Sequence, residues 1–194
     1  MIYVIIVLVI LALWAIGAYN SLVKHRVRAE EAWSDIDVQL KRRYDLIPNL
    51  VETVKAYAKH EKELFTQVAE ARSQAIHAKT PAARATADTM MTETLKTLFA
   101  VSESYPELKA SDNFKELQRE LSDTENKVEA ARRFYNSNVR DLNIALDTFP
   151  TNIIGGMFHI AKKDLFEAVE GERETPKVSF EDDASSKKSA QDES

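Results

Sequence analysis

Residues 2–22 read IYVIIVLVILALWAIGAYNSL, and this stretch decides how the rest of the chain is arranged. It carries no charged side chain, and the first charge after it is Lys24. About 20 apolar residues in a helix are enough to cross the roughly 30 Å hydrocarbon core of a bilayer. The sequence therefore predicts a transmembrane anchor over residues 1–22.

A cleaved secretory signal peptide is the main alternative for this stretch. Signal peptides begin with a basic region and have a shorter apolar core followed by small residues at the cleavage site. Only Met1 precedes the apolar run, and Ala15, Gly17 and Ala18 match a cleavage site weakly. An uncleaved anchor is the favoured interpretation.

The charges that flank the span predict its orientation. Basic residues come only after it, beginning with Lys24, Arg26 and Arg28. Segments rich in Lys and Arg tend to remain in the cytoplasm. We therefore expect a single-pass protein with its N-terminus outside and its body in the cytoplasm, although Glu30 and Glu31 leave the reverse orientation open.

The chain after the anchor predicts helices only. Apolar residues recur at three- and four-residue spacing in four segments that are joined by short connections. The predicted helices run from the anchor to Ile47, from about Asn49 to His77, from Pro81 to about Ser104, and from about Asn113 to Leu146. This pattern predicts an all-α fold, in which an N-terminal transmembrane helix continues into an elongated antiparallel four-helix bundle over residues 23–149.

Prolines and capping residues set the predicted helix ends. Pro48 disfavours helical backbone at the residue before it, so the first helix is expected to end there. Thr80 and Pro81 have the pattern of an N-cap followed by a first helical residue. Asn113 and Glu116 have the spacing of a capping box.

The segment after Pro150 is predicted to return to the bilayer, because the helices alternate in direction. Residues 150–170 form an apolar and amphipathic juxtamembrane segment, with a short helix expected from Ile160 to Val169. Residues 171–194 are rich in charge and Ser, which predicts a disordered tail. The candidate membrane-contacting residues are Ile153, Ile154, Met157 and Phe158. Contact with lipid headgroups or a neighbouring subunit, and folding back onto the protein's own bundle, both remain open.

The sequence contains no recognisable catalytic or metal-binding pattern. His60 and Glu61 begin like a zinc-protease helix, but the position of the second histidine is occupied by Leu64. Cysteine is absent, which excludes thiolate ligands and a Cys nucleophile. The net charge of −5 argues against a nucleic-acid partner. We therefore expect no enzyme activity, no cofactor and no metal.

Several polar and aromatic residues fall on or beside the apolar stripes. Such groups either form ion pairs at the flank of a bundle or fix the register between helices or subunits. Aromatic residues at these positions serve either an interface or the core. The candidate interaction or register residues are Trp33, Arg43, Tyr44, Pro48, Glu61, Arg72, Glu125, Arg132 and Asn136.

Several motifs resemble the LemA family of bacterial membrane proteins. They are EAWSDIDVQLKRR at 31–43, DLIPNLV at 45–51, ELSDTEN at 120–126, ARRFYN at 131–136 and TFPTNII at 148–154. The resemblance covers roughly residues 19–158. It implies an N-terminal membrane helix, an elongated helical bundle and the bacterial inner membrane, and it supplies no catalytic residues.

Two functions follow from these observations. The long amphipathic helices and the anchor favour a membrane-anchored scaffold that self-assembles, so the expected partners are the lipid bilayer and further copies of the chain. The resemblance also suggests an adaptor or regulatory subunit of a membrane protease or an envelope-stress system, because some family members are associated with such systems and others with magnetosome formation.

Overall fold

The computed structural model describes residues 1–167, and this part of the chain is built from helices without any strand. The helices are α1 (Ile2–Lys55), α2 (Lys62–His77), α3 (Pro81–Ser102), α4 (Pro106–Ala110), α5 (Asp112–Asp147) and α6 (Thr151–Met157). The predicted all-α class is confirmed. The tail predicted over residues 171–194 lies outside the described residues.

Helix α1 dominates the architecture. It has 54 residues, so at 1.5 Å per residue it is about 80 Å long. Its N-terminal part reaches a mean hydropathy of 2.7 with no residue buried, and by length and composition it can cross a membrane. The same helix continues into the core, where Leu22 and Ala29 are the first buried residues. The predicted continuation of the span as one helix is confirmed.

One hydrophobic core is shared by α1 to α5. It includes Ile36 and Leu40 of α1, Val68 of α2, Met91 and Leu98 of α3, Leu108 of α4, and Leu121 and Val128 of α5. Trp33 of α1 lies beside Tyr135 of α5, and Arg43 lies beside Glu125, so these two helices are antiparallel. Helices α2 and α3 are also antiparallel, because a short connection joins them. The finer description as a four-helix bundle stays a prediction.

The expected break at Pro48 is wrong, because α1 runs through it to Lys55. A proline inside a helix leaves the carbonyl four residues earlier without its usual N–H donor. Here that carbonyl belongs to Tyr44, and the Nε of Arg72 in α2 donates a hydrogen bond to it at 2.8 Å. The exposed position of Pro48 also keeps its ring out of the core. A side chain from another helix therefore replaces the bond that proline removes.

The second helix begins later than expected. The chain leaves the helical conformation after Lys55, so α2 begins at Lys62 and not near Asn49, although it ends at His77 as predicted. The predicted cap of α3 is confirmed, since the Thr80 hydroxyl accepts a hydrogen bond from the amide of Ala83 at 3.2 Å.

The start of the last long helix also differs from the prediction. The N-cap of α5 is Ser111, and Asn113 lies inside the helix, so the predicted capping box is wrong. A short additional helix, α4, occupies the connection that follows Tyr105. At 36 residues, α5 is about 54 Å long and pairs with the body of α1.

The helix expected from Ile160 to Val169 is wrong over the described residues. Residues 160–167 have no regular secondary structure, and we call them the strap. They lie against α5 and are held by hydrogen bonds from its side chains, which compete with helix formation. Residues 168 and 169 lie outside the described part of the chain.

We expect the substitution Arg72→Met to lower the free energy of unfolding by about 1–3 kcal/mol, because the carbonyl of Tyr44 loses its donor. The cost should fall when Pro48→Ala is also present, since the amide introduced at position 48 can bond the same carbonyl. Chemical denaturation of the four proteins in one detergent measures this coupling. Equal costs of Arg72→Met in both backgrounds would contradict the explanation.

Candidate functional site

The guanidinium of Arg43 is a buried polar group that is held by partners from two other helices. The residue is 2% exposed and lies in the middle of the part of α1 that packs against other helices. One of its nitrogens lies 2.7 Å from Asp88 of α3, and the other lies 2.9 Å from Thr92 and 2.5 Å from Glu125 of α5. A single side chain therefore connects three helices.

The buried pair of Arg43 and Asp88 is electrostatically unusual. Asp88 is 3% exposed, and burial raises the pKa of its carboxyl, while the nearby Arg43 opposes this rise. The Nε of Arg43 has no hydrogen-bond partner within residues 1–167. Buried charges are costly unless they are paired, so sliding one helix by a turn would leave this charge without its partners. The cluster thus favours one register of α1 against α3 and α5.

Tyr44 lies beside this cluster. Burial raises the pKa of its hydroxyl, which has no hydrogen-bond partner among the described residues. Next to it, a surface groove of about 310 Å³ is lined by Asp37, Lys41 and Arg84, among others. Arg84 forms an ion pair with Asp37. Two of these charges thus pair α1 with α3, which gives that part of the groove a structural explanation.

A second cluster is built from aromatic rings near the strap. The ring of Trp33 lies 5.3 Å from Tyr135 and 6.1 Å from Phe166. Phe166 is 1% exposed, and the guanidinium of Arg132 stacks 5.1 Å from its ring centre. Trp33 and Arg132 are half-buried, and both contact Phe166 at the end of the strap.

Two asparagines of α5 bind the backbone of the strap. Asn136 donates to the carbonyl of Phe166 at 2.9 Å and accepts from its amide at 2.8 Å. Asn143 donates to the carbonyl of Lys163 at 2.9 Å and accepts from its amide at 3.1 Å. Two helical turns span about 10.5 Å, and three extended residues span about 10 Å, so the two spacings match.

Only part of this arrangement is predictable from the sequence. Asn136 was among the candidate register residues, whereas Asn143 and Phe166 were not. A usable signal was present, because Asn136 and Asn143 lie seven residues apart and so share one face of α5. Glu61, another candidate, accepts a hydrogen bond from the hydroxyl of Tyr105 at 3.2 Å and joins the start of α2 to the start of α4.

Helix α6 forms a third feature, at the end of the apolar run of α1. A Cβ added at Gly155 would approach the side chain of Leu146 to 2.6 Å and that of Leu22 to 3.9 Å. Glycine therefore allows α6 to pack closely on both long helices. The ring of Phe158 lies 4.4 Å from that of Tyr19.

The four candidate membrane-contacting residues divide into two groups. Ile154 is 6% exposed and points into the protein beside Gly155, which differs from the expectation. Ile153, Met157 and Phe158 are more than half exposed, and so is the neighbouring Phe149. Thus α6 folds back on its own helices through one face and leaves an apolar face uncovered.

Among residues 1–167, no group of three or more His, Asp or Glu side chains has an arrangement that would hold a metal ion. In the buried cluster around Arg43, the carboxylates of Asp88 and Glu125 are paired with the guanidinium.

These features define a helical protein that has one candidate membrane-spanning helix among residues 1–167 and a body organised around a buried arginine. The model of the LemA family matches residues 32–180. The chain therefore belongs to the LemA family.

Individual relatives are more distant. Protein LemA of Metamycoplasma hominis is 24% identical over 159 residues, which cover 81% of this chain and 73% of that protein. Magnetosome protein MamQ of Magnetospirillum gryphiswaldense is 23% identical over 174 residues, covering 76% of this chain. Magnetosome protein MamQ 2 of Paramagnetospirillum magneticum is 23% identical and covers 77% of this chain. The aligned part spans 64% of the length of each of these two MamQ proteins.

Removing one partner of the buried pair should be severe. We expect Asp88→Ala to lower the free energy of unfolding by about 3–5 kcal/mol, because Arg43 then remains buried without its buried carboxylate partner. The double variant Arg43→Met, Asp88→Leu should recover most of that loss. Urea denaturation measures both. The exposed pair partner Glu129 provides a control, since Glu129→Ala should cost under about 1 kcal/mol.

We call the side chains of Asn136 and Asn143 the clamps, because they bind the backbone of the strap. The strap should open when a clamp is removed. We expect Asn143→Ala to remove two hydrogen bonds and to raise the open population of residues 160–167 about tenfold, for a loss near 1.4 kcal/mol. Hydrogen exchange of the strap amides measures this population. Asn138 is the matched control, because its side chain bonds the carbonyl of Phe134 in its own helix. Equal strap exchange in both variants would contradict the clamp.

Proposed function

We propose that this chain is a membrane-anchored helical scaffold that self-assembles in the bacterial inner membrane. The observation that carries the proposal is the continuity of α1, which passes from the apolar span into the shared core without an intervening loop. A rigid connection holds the body at a fixed height and tilt relative to the bilayer. Copies confined to one membrane would thus present the same lateral surfaces to one another.

The lipid bilayer is the first partner in this proposal. The exposed apolar face of α6 lies beside Tyr19 and Leu22, where the apolar run of α1 ends. Side chains at that level meet the headgroup and interfacial region of a bilayer. We infer that Ile153, Met157 and Phe158 contact lipid, so that α6 acts as a second, shallow attachment beside the span.

The orientation is also a proposal. The basic residues that follow the span favour a cytoplasmic body with the N-terminus outside. In this arrangement the protein works by binding and not by catalysis, without a cofactor or nucleic acid. The groove beside Tyr44 and the charged cluster around Arg43 support this proposal, because packing between helices explains why their polar side chains are there.

The size of the particle tests self-assembly. We expect the tagged full chain, extracted from its own membranes in mild detergent, to form a particle of several copies and little else, as measured by light scattering and mass spectrometry. A monomer would contradict the proposal. A single copy with a stoichiometric second protein would also contradict it, and would favour an adaptor of a membrane protease or another envelope protein.

Spin labels test the contact of α6 with lipid. The chain has no cysteine, so Met157→Cys can be labelled alone in lipid vesicles. We expect a label there to be more accessible to oxygen than to a water-soluble nickel reagent. Val38 is the matched control, because it is 61% exposed against 67% for Met157 and lies on α1 well beyond the apolar run. Equal accessibility of both labels to the nickel reagent would contradict lipid contact.

A further inference from the structure

The strap occupies a groove that recognises an extended peptide mainly through its backbone. Asn136 and Asn143 each pair with both the amide and the carbonyl of one strap residue, and the hydroxyl of Tyr135 donates to the carbonyl of Asp164 at 2.8 Å. These bonds are what a neighbouring β-strand would supply, but here they come from side chains of a helix.

One side chain anchors this peptide. Phe166 fills the space between Trp33 and the stacked guanidinium of Arg132, and the residue is fully buried. Backbone clamps followed by one aromatic anchor are an arrangement typical of peptide recognition by extended segments. The groove therefore has the properties of a binding site whose present occupant is part of the same chain.

We propose that the strap of one copy also occupies this groove in a neighbouring copy, so that exchange of residues 160–167 joins subunits of the assembly. The inference rests on the proposed self-assembly and names the surface that would mediate it. A second copy supplies the same segment, so every clamp and the aromatic anchor are reproduced without any new contact. Exchange of an identical element is a low-cost route to assembly.

The connection to the strap permits this exchange. Helix α6 stays on its own chain, because Ile154 and Gly155 are buried against α1 and α5. The chain then reverses at Phe158 and His159, where His159 has a φ of 51°. For the strap to leave, this turn has to open, and the hydrogen bond from the amide of Ile160 to the carbonyl of Gly155 at 3.0 Å has to break. When fully extended, the six residues 158–163, which connect α6 to the first clamped position, reach about 20 Å. This distance is the width of two helices with their side chains.

The anchor favours the exchanged arrangement, and the charges are compatible with it. Because α1 is continuous, copies in one membrane hold their turns and groove entrances at the same height. The strap also carries Lys162, which pairs with Asp147 at 2.7 Å, and Lys163, which lies 3.3 Å from Glu30. Each copy therefore offers two lysines near the start of its strap and two matching carboxylates at the groove entrance, whereas Asp164 and Glu167 make the strap neutral as a whole.

Cross-linking between two tagged copies tests the exchange. Because the chain lacks cysteine, one copy can carry only Asp147→Cys and the other only Lys162→Cys. The two are produced together as full chains, and their native membranes are treated with a short bis-maleimide. We expect a cross-linked dimer that carries both tags. A linkage that forms only within one chain carrying both substitutions would overturn the proposal.

Two controls separate exchange from simple proximity and from loss of assembly. Adding Asn136→Ala and Asn143→Ala to both copies should reduce the cross-linked dimer at least about tenfold, for losses near 1.4 kcal/mol, whereas Asn138→Ala should leave it unchanged. Circular dichroism checks that the variants keep their helices. Cross-linking that is insensitive to the clamps would overturn strap exchange. The particle mass of the same sample distinguishes failures: an oligomer without cross-links overturns exchange alone, and a monomer overturns self-assembly as well.

Discussion

The continuity of α1 is the constraint on which the rest of the structure depends. One helix supplies both the apolar span and one wall of the hydrophobic core, so the body has no freedom to rotate independently of the anchor. The antiparallel α5 packs along the same helix, and the register of the two is defined by Arg43 with Glu125. Helix α6 lies beside the end of the apolar run, and the strap leads from it along α5 toward Trp33, so both take their position from this pair.

Side chains that satisfy backbone groups recur throughout the protein. The guanidinium of Arg72 replaces the donor lost at Pro48, and the amides of Asn136 and Asn143 pair with the extended strap. Buried backbone groups need partners, and in each case another element provides them. Such bonds allow a proline to remain inside a helix and let a strand-like segment lie on a helical surface.

The sequence predicted features that depend on local pattern. The span, its continuation and the cap at Thr80 follow from residues close together in the chain, and all three are present. The failures involve partners that are distant in sequence. Local sequence predicts a break at Pro48, because the compensating side chain of Arg72 lies in another helix. Local sequence also predicts a helix at residues 160–167, because the α5 side chains that compete with helix formation are distant in the chain. The spacing of apolar residues along the helices does not predict the pairing of Arg43 with Asp88 either.

The most direct test of a rigidly connected anchor is hydrogen exchange at residues 17–28 of the full chain in lipid nanodiscs, where the span passes into the body. A rigid connection predicts slow exchange throughout this stretch, without a gap in protection between the membrane-embedded part and the core at Ala29. Exchange at the rate of an unstructured peptide anywhere between Gly17 and Arg28, with protected residues on both sides, would show a flexible linker. That result would contradict a rigid connection between the anchor and the body.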